Sequence, residues 1–120
     1  MTDELTFRRG DVFLLRLDPV EDSEQGGTRP VLVITNDILN TYNPVVTVAA
    51  ITTRKVDRVY PTEVFITPPE GGLTQTSKVL LYQTRTVSKK RAIRYLGKLS
   101  DETMMKVDEA IQLVFGLVDV

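Results

Sequence analysis

The sequence predicts a mainly β domain with helical content (α+β): a small barrel of about seven short strands, a short helix near 36–42 and a C-terminal helix near 101–117. Three observations carry this. Short apolar or alternating runs recur along most of the chain, each bounded by turn residues. One stretch alone, at the C-terminal end, repeats its apolar residues at helical spacing. No repeat, linker or low-complexity tract interrupts the 120 residues, so 1–120 reads as a single domain.

The elements follow in order. Asp11 to Leu17 is a first strand, closed by Asp18-Pro19, and a loop of about eleven residues then leads to Arg29; loops of that length on a rigid scaffold are often functional. Pro30 to Thr35 is a second strand, and its unbroken apolar run Val31-Leu32-Val33-Ile34 implies burial on both faces. Asn36 is placed to cap a helical turn through Asp37-Ile38-Leu39-Asn40. Val45 to Thr52, Thr62 to Ile66, Lys78 to Gln83, a short piece from Arg85 to Val87, and Ile93 to Leu99 complete the strands, with Pro68-Pro69-Glu70-Gly71-Gly72 as an irregular loop between two of them. Ser100 is placed to cap the last helix, and Asp101 and Glu102 suit the positive end of its dipole. Met104, Val107, Ile111, Val114 and Val118 form its stripe, which Ala110, Leu113, Phe115 and Leu117 widen. Phe13, Phe65 and Phe115 lie within apolar runs and read as packing residues, whereas Tyr42 and Tyr60, flanked by loop residues, are candidates for base stacking.

Composition restricts the chemistry. The chain has no cysteine and no histidine. Disulfides, thiolate metal sites and every Ser-His or Cys-His nucleophile are thereby excluded, and catalysis would fall to carboxylates, hydroxyls, Tyr, Lys, Arg or amides. No tight acidic cluster suggests a carboxylate magnesium site, so neither a metal nor another cofactor is expected. The polar N-terminus and the lack of a membrane-length apolar run point to a cytoplasmic protein. Net charge is only -1, but between Arg54 and Lys98 ten basic residues face three acids (Asp57, Glu63, Glu70). Such a field suits phosphates even on an acidic protein; the alternative is a solvated basic surface that balances the acidic helix.

The segment Ser23-Glu24-Gln25-Gly26-Gly27-Thr28-Arg29-Pro30 is the most informative. Two glycines let a loop approach a ligand, and Pro30 stiffens the strand entrance, so Arg29 is held on a rigid element beside a polar loop. A planar, permanently charged fork in that position suits charge developing on a phosphate; a surface ion pair with Glu21, Asp22 or Glu24 is the alternative.

Taken together, Arg9-Gly10-Asp11-Val12, Glu24-Gln25-Gly26-Gly27-Thr28-Arg29-Pro30-Val31-Leu32-Val33-Ile34, Asn36-Asp37, Ala50-Ile51-Thr52-Thr53, Pro61-Thr62-Glu63-Val64, Gly72-Leu73, Gln83-Thr84-Arg85-Thr86 and Met105-Lys106-Val107-Asp108 resemble the MazF/PemK toxins of type II toxin-antitoxin systems, in order and spacing from Arg9 to Leu117. The form with Gly-Gly before the Arg is most similar to the Gram-positive-type branch. The resemblance implies an SH3-like barrel and a metal-independent, sequence-specific endoribonuclease that cleaves single-stranded RNA to a 2',3'-cyclic phosphate and a 5'-hydroxyl. It further implies a homodimer, assembly with a cognate antitoxin up to a heterohexamer, and a preference for U-A-C-type sites. Carried over by motif, Arg29 and Thr52 are the catalytic pair, and Glu24 is the carboxylate in reach of the site. Ser23, Gln25, Thr53, Arg54, Ser77, Lys78, Gln83 and Arg85 are the expected RNA contacts, and Ile111, Phe115, Leu117 and Val118 the expected dimer contacts. Tyr82 stands where several relatives carry an acid proposed as the base. In a regular strand Tyr82 and Gln83 would face opposite sides. Two other readings stay open: a non-catalytic SH3-like module that binds RNA or peptide, and a gyrase poison of the same fold, which the absence of Trp and the ending Leu117-Val118-Asp119-Val120 disfavour.

Overall fold

The structure is a computed structural model and describes residues 5–16 and 27–119. Six strands, β1 (Asp11–Arg16), β2 (Thr28–Val33), β3 (Val45–Thr52), β4 (Glu63–Ile66), β5 (Ser77–Ser88) and β6 (Ala92–Lys98), form one antiparallel sheet in the order β4-β5-β3-β2-β1-β6. Two helices, α1 (Asp37–Tyr42) and α2 (Asp101–Val114), and two single 3-10 turns, Glu70–Gly72 and Lys89–Arg91, complete the described fold. The ladder ends at β4 and β6 instead of closing into a ring. α2, which packs on β4 and β5, and the Glu70–Gly72 turn, which packs on β6, fill the space between these edges. At that turn backbone rests on backbone: a Cβ on Gly97 would lie 2.5 Å from the Gly71 carbonyl carbon, so only glycine permits the crossing.

The two pieces expected at 78–83 and 85–87 are a single strand, so the described residues hold six strands where about seven were expected. The reason is a register jump. Ala49 sits opposite Thr84, but Ala50 sits opposite Leu80, so Leu81, Tyr82 and Gln83 are extra residues on β5. Such a bulge leaves the strand continuous while breaking its alternation, and an alternation-based reading divides it there.

Period-two alternation sends successive residues of the central strands to opposite faces and generates two cores. One gathers Val12, Leu32, Ala49, Ile51, Ile66, Val79, Leu81 and Leu99 beneath Val107 and Ala110 of α2. The other gathers Phe7, Phe13, Leu15, Val31, Val33, Val46, Val48 and Val87, with Phe7 stacked on Phe13 at 4.5 Å. The apolar run of β2 divides between them, and Val31, Leu32 and Val33 are all buried, as the sequence indicated. Each large aliphatic side chain buried in this way contributes about 1.5–3 kcal/mol.

Both helices start where their caps predict. Asn36 Oδ1 accepts from Leu39 N at 2.9 Å, and Ser100 Oγ accepts from Thr103 N at 3.1 Å. α2 ends at Val114, short of the expected 117. Gly116 (φ +71) takes the left-handed conformation, its N–H donates to Leu113 O at 3.2 Å, and Leu117 N donates to Gln112 O at 2.8 Å. This pair of bonds is the Schellman stop that glycine enables one residue past the cap. Phe115 therefore leaves the stripe and lies exposed, contrary to its reading as a packing residue. Phe65 is exposed as well, because it occupies the outward position of edge strand β4 between buried Val64 and Ile66.

Candidate active site

β2 and β3 pair at Val33–Val48, Leu32–Ala49 and Val31–Ala50, and the ladder stops there. Past that last rung, Arg29 of β2 and Thr52 at the end of β3 both line one opening. A cleft of about 1050 Å³ opens at this point. Its floor includes Leu15, Val31, Val48 and Leu80, so it is the uncovered end of the second core together with part of β5. Its walls carry six cationic side chains, Arg29, Arg54, Lys55, Arg58, Lys78 and Arg85, against two carboxylates, Asp57 and Glu63. An apolar floor beneath a cationic rim excludes water from one side of a bound anion and strengthens its attraction to the rim.

Arg29 is half-buried, pairs through its backbone with Leu15 of β1, and is fixed by the proline that follows it. Thr52 is also half-buried and ends β3 opposite Lys78. Its Oγ1 accepts from Arg54 N at 3.1 Å. A hydroxyl that accepts in this way retains its own proton for donation, so Thr52 can present an O–H to the cleft while shaping the turn that leads to Arg54. The loop that follows supplies Arg54, Lys55, Asp57, Arg58 and Tyr60, and Arg58 Nη1 lies 3.4 Å from Tyr60 Oη.

Across the cleft, the β5 bulge decides what faces inward. Tyr82 and Gln83 are both exposed, both line the cleft, and Gln83 Nε2 lies 3.4 Å from Tyr82 Oη. The rule that neighbouring strand residues point apart does not hold here, because the extra residues break the pleat. Arg85, paired with Val48, continues this wall.

The structure thus brings Arg29, Thr52, Arg54, Lys78, Gln83 and Arg85 together in one cleft. Thr53 is exposed but is not among the cleft's lining residues. Two expected phosphate contacts need correction. Ser77 is 1% exposed and donates to Gln75 O at 2.8 Å, which makes it a turn residue. Lys78 is 5% exposed, and its ammonium is occupied by Glu63 at 2.9 Å and Arg58 O at 2.8 Å. Burial works to raise the Glu63 pKa, but the Lys78 hydrogen bond, the Tyr60 N–H and the ammonium's charge together hold it below the ordinary carboxyl value. Ser23, Glu24 and Gln25 lie outside the described residues. Of the expected stacking residues, Tyr60 lines the cleft while Tyr42 stands out on α1. Sequence reasoning counted Lys55, Asp57 and Arg58 only as members of a charge field, and Glu63 only in that field and in a family-like segment; the signal was the density of charge between Arg54 and Glu63.

A small antiparallel sheet with an arginine-walled cleft where the β2–β3 pairing ends defines a domain suited to a phosphate-bearing chain. The chain belongs to the PemK-like, MazF-like toxins of type II toxin-antitoxin systems, whose family profile matches residues 8–115. It is 47% identical over 112 residues to endoribonuclease EndoA of Bacillus subtilis (strain 168), with 93% of this chain and 97% of that protein covered. The fold is similar to that of the Mycobacterium tuberculosis toxin MazF-mt6 (TM-score 0.75, 30% identity, 92% of this chain and 99% of the other). It is also similar to a mycobacterial endoribonuclease in complex with its cognate antitoxin (TM-score 0.77, 26% identity, 94% and 98%).

Proposed function

We propose that this chain is the toxin of its pair and acts as a sequence-specific, metal-independent endoribonuclease on single-stranded RNA. The observation that carries this reading is that Arg29 and Thr52 line the same cationic cleft, in a family with a relative named for endoribonuclease activity. The 2'-hydroxyl oxygen attacks the adjacent phosphorus, a P–O2' bond forms as the P–O5' bond breaks, and the departing 5'-oxygen takes up a proton. This step needs alignment, proton transfer and stabilisation of a dianionic phosphorane. Arg29 supplies the stabilisation, because a guanidinium stays charged and binds two oxygens at once. Thr52 donates its O–H to a non-bridging oxygen, and Arg54 and Arg85 hold flanking phosphates. Glu24 is the carboxylate proposed to accept the 2'-hydroxyl proton; Glu63 is excluded from that role by its bond to Lys78.

Regulation follows the antitoxin-bound neighbour: an antitoxin segment with carboxylates would occupy the same cationic walls. Exposed Phe115, Leu117 and Val118 beyond the end of α2 support a homodimer contact, whereas Ile111 packs into its own core. Among the described residues no helix is long and apolar enough to cross a membrane. The test is incubation with a long unstructured RNA in EDTA, with mapping of 5' ends. Discrete cuts bearing 5'-hydroxyls, greatly slowed with Arg29→Ala, are expected; undiminished cutting by Arg29→Ala would overturn the assignment.

A further inference from the structure

Burying charge is costly, and the cores are otherwise almost wholly apolar, yet Lys78 and Glu63 form an ion pair at 2.9 Å with side-chain exposures of 6% and 4%. The pair lies at the neck of the segment 53–62, which leaves β3 after Thr52 and enters β4 at Glu63. Lys78 is the β5 residue directly opposite Thr52. Both charged groups reach past one another to the backbone of that segment. The Lys78 ammonium donates to Arg58 O at 2.8 Å, and Glu63 Oε1, besides accepting from Lys78, accepts from Tyr60 N at 3.0 Å. Glu63 N also donates to Tyr60 O at 2.8 Å. The segment so held carries Arg54, Lys55, Arg58 and Tyr60 into the cleft.

From this arrangement we infer that Lys78 and Glu63 are positioning residues, a buried clamp that fixes the cationic loop over the site while leaving the chemistry to other groups. The inference rests on the RNA-cleaving reading for its functional consequence. An apolar pair would fill the same volume with no desolvation cost but would release Arg58 O and Tyr60 N from their partners, so the loop would loosen while the core stayed packed. Hydrogen bonds to a buried pair also hold direction better than packing does, and a displaced phosphate-binding arm weakens substrate alignment.

The test compares wild type with the double variant Glu63→Leu/Lys78→Met through three readouts. Replacing both partners with apolar residues is expected to keep or raise the melting temperature. Limited trypsinolysis at Arg54, Lys55 and Arg58 should nevertheless accelerate by about tenfold or more as local opening becomes easier. The KM for single-stranded RNA should rise by roughly tenfold, with a smaller fall in kcat, because the loop binds substrate and does not react with it. Wild-type KM and unchanged tryptic protection in the double variant would overturn the inference. Should the double variant not fold, amide exchange in the wild type decides: protection of the Tyr60 N–H within an exposed loop is expected, and rapid exchange there overturns the clamp. If wild-type protein cuts no RNA at all, the proposed function falls, while the protease and exchange readouts still judge the clamp.

Discussion

Two ion pairs of nearly equal length occupy different regions of this molecule. Lys78 meets Glu63 at 2.9 Å at the neck of the cleft, with side-chain exposures of 6% and 4%. Arg9 meets Asp108 of α2 at 2.8 Å on the helix side, with exposures of 30% and 52%. The second pair is polar trim around an apolar contact: the same arginine donates from Nε to Ile34 O and from its backbone N to Asp37 Oδ1 at 2.7 Å, and water replaces whatever is lost. At the cleft both side chains are almost wholly withdrawn from solvent, so a missing partner leaves a desolvated charge. Distance is thus a poor guide to what a pair does; burial and the further acceptors each group serves are the better one.

The difference can be broken experimentally, beginning with the largest expected effect. Lys78→Met alone should cost about 3–5 kcal/mol of unfolding free energy in urea, because Glu63 is left buried without its cation; a loss below 1 kcal/mol would make the two pairs equivalent. Arg29→Ala should leave stability almost unchanged while slowing RNA cleavage by roughly a hundredfold to a thousandfold, the range found when one donor to a developing oxyanion is lost. Ser100→Ala, far from the cleft, should cost about 1 kcal/mol through loss of the α2 cap and leave cleavage intact. Asp108→Ala should cost less than about 1 kcal/mol, and less again at high salt. Acid sharpens the contrast. The folded-state pKa of Glu63 is lowered from 4.5, so its contribution is fully present above that value and is lost as pH falls through the folded value. Wild type should therefore lose stability through this acid range more steeply than the Glu63→Leu/Lys78→Met variant in pH-dependent melting.

Features written in neighbouring residues were legible in the sequence. Asn36 and Ser100 announced two helix starts, and the run Val31-Leu32-Val33 announced a strand buried on both faces. The end of α2 was legible too in Gly116, a glycine suited to a left-handed stop that falls inside the helix expected to run to 117. What stayed hidden depends on partners distant in the chain. Lys78 looked like a surface cation until Glu63 was brought beside it, and Phe65 looked like core until β4 proved to be an edge. For the site, Arg29 stood out through its glycine loop and proline, while Thr52 gained meaning from family resemblance and then from sharing a cleft with Arg29. No spacing rule in β5 could show that Tyr82 and Gln83 face the same side, because the jump exists only relative to β3.

That jump has a bearing on how such a protein can change. The rungs from Val45 to Ala49 and those from Ala50 to Thr52 are each in step with β5, and Leu81, 0% exposed, anchors the surplus between them. Substitutions at Tyr82 and Gln83, or a change in the number of residues there, would reshape one wall of the cleft without rephasing Thr52 below or Val46 above. The sheet therefore carries the end of β3 and the Tyr82–Gln83 wall of the cleft in separate registers, so that one can be altered while the other keeps its phase.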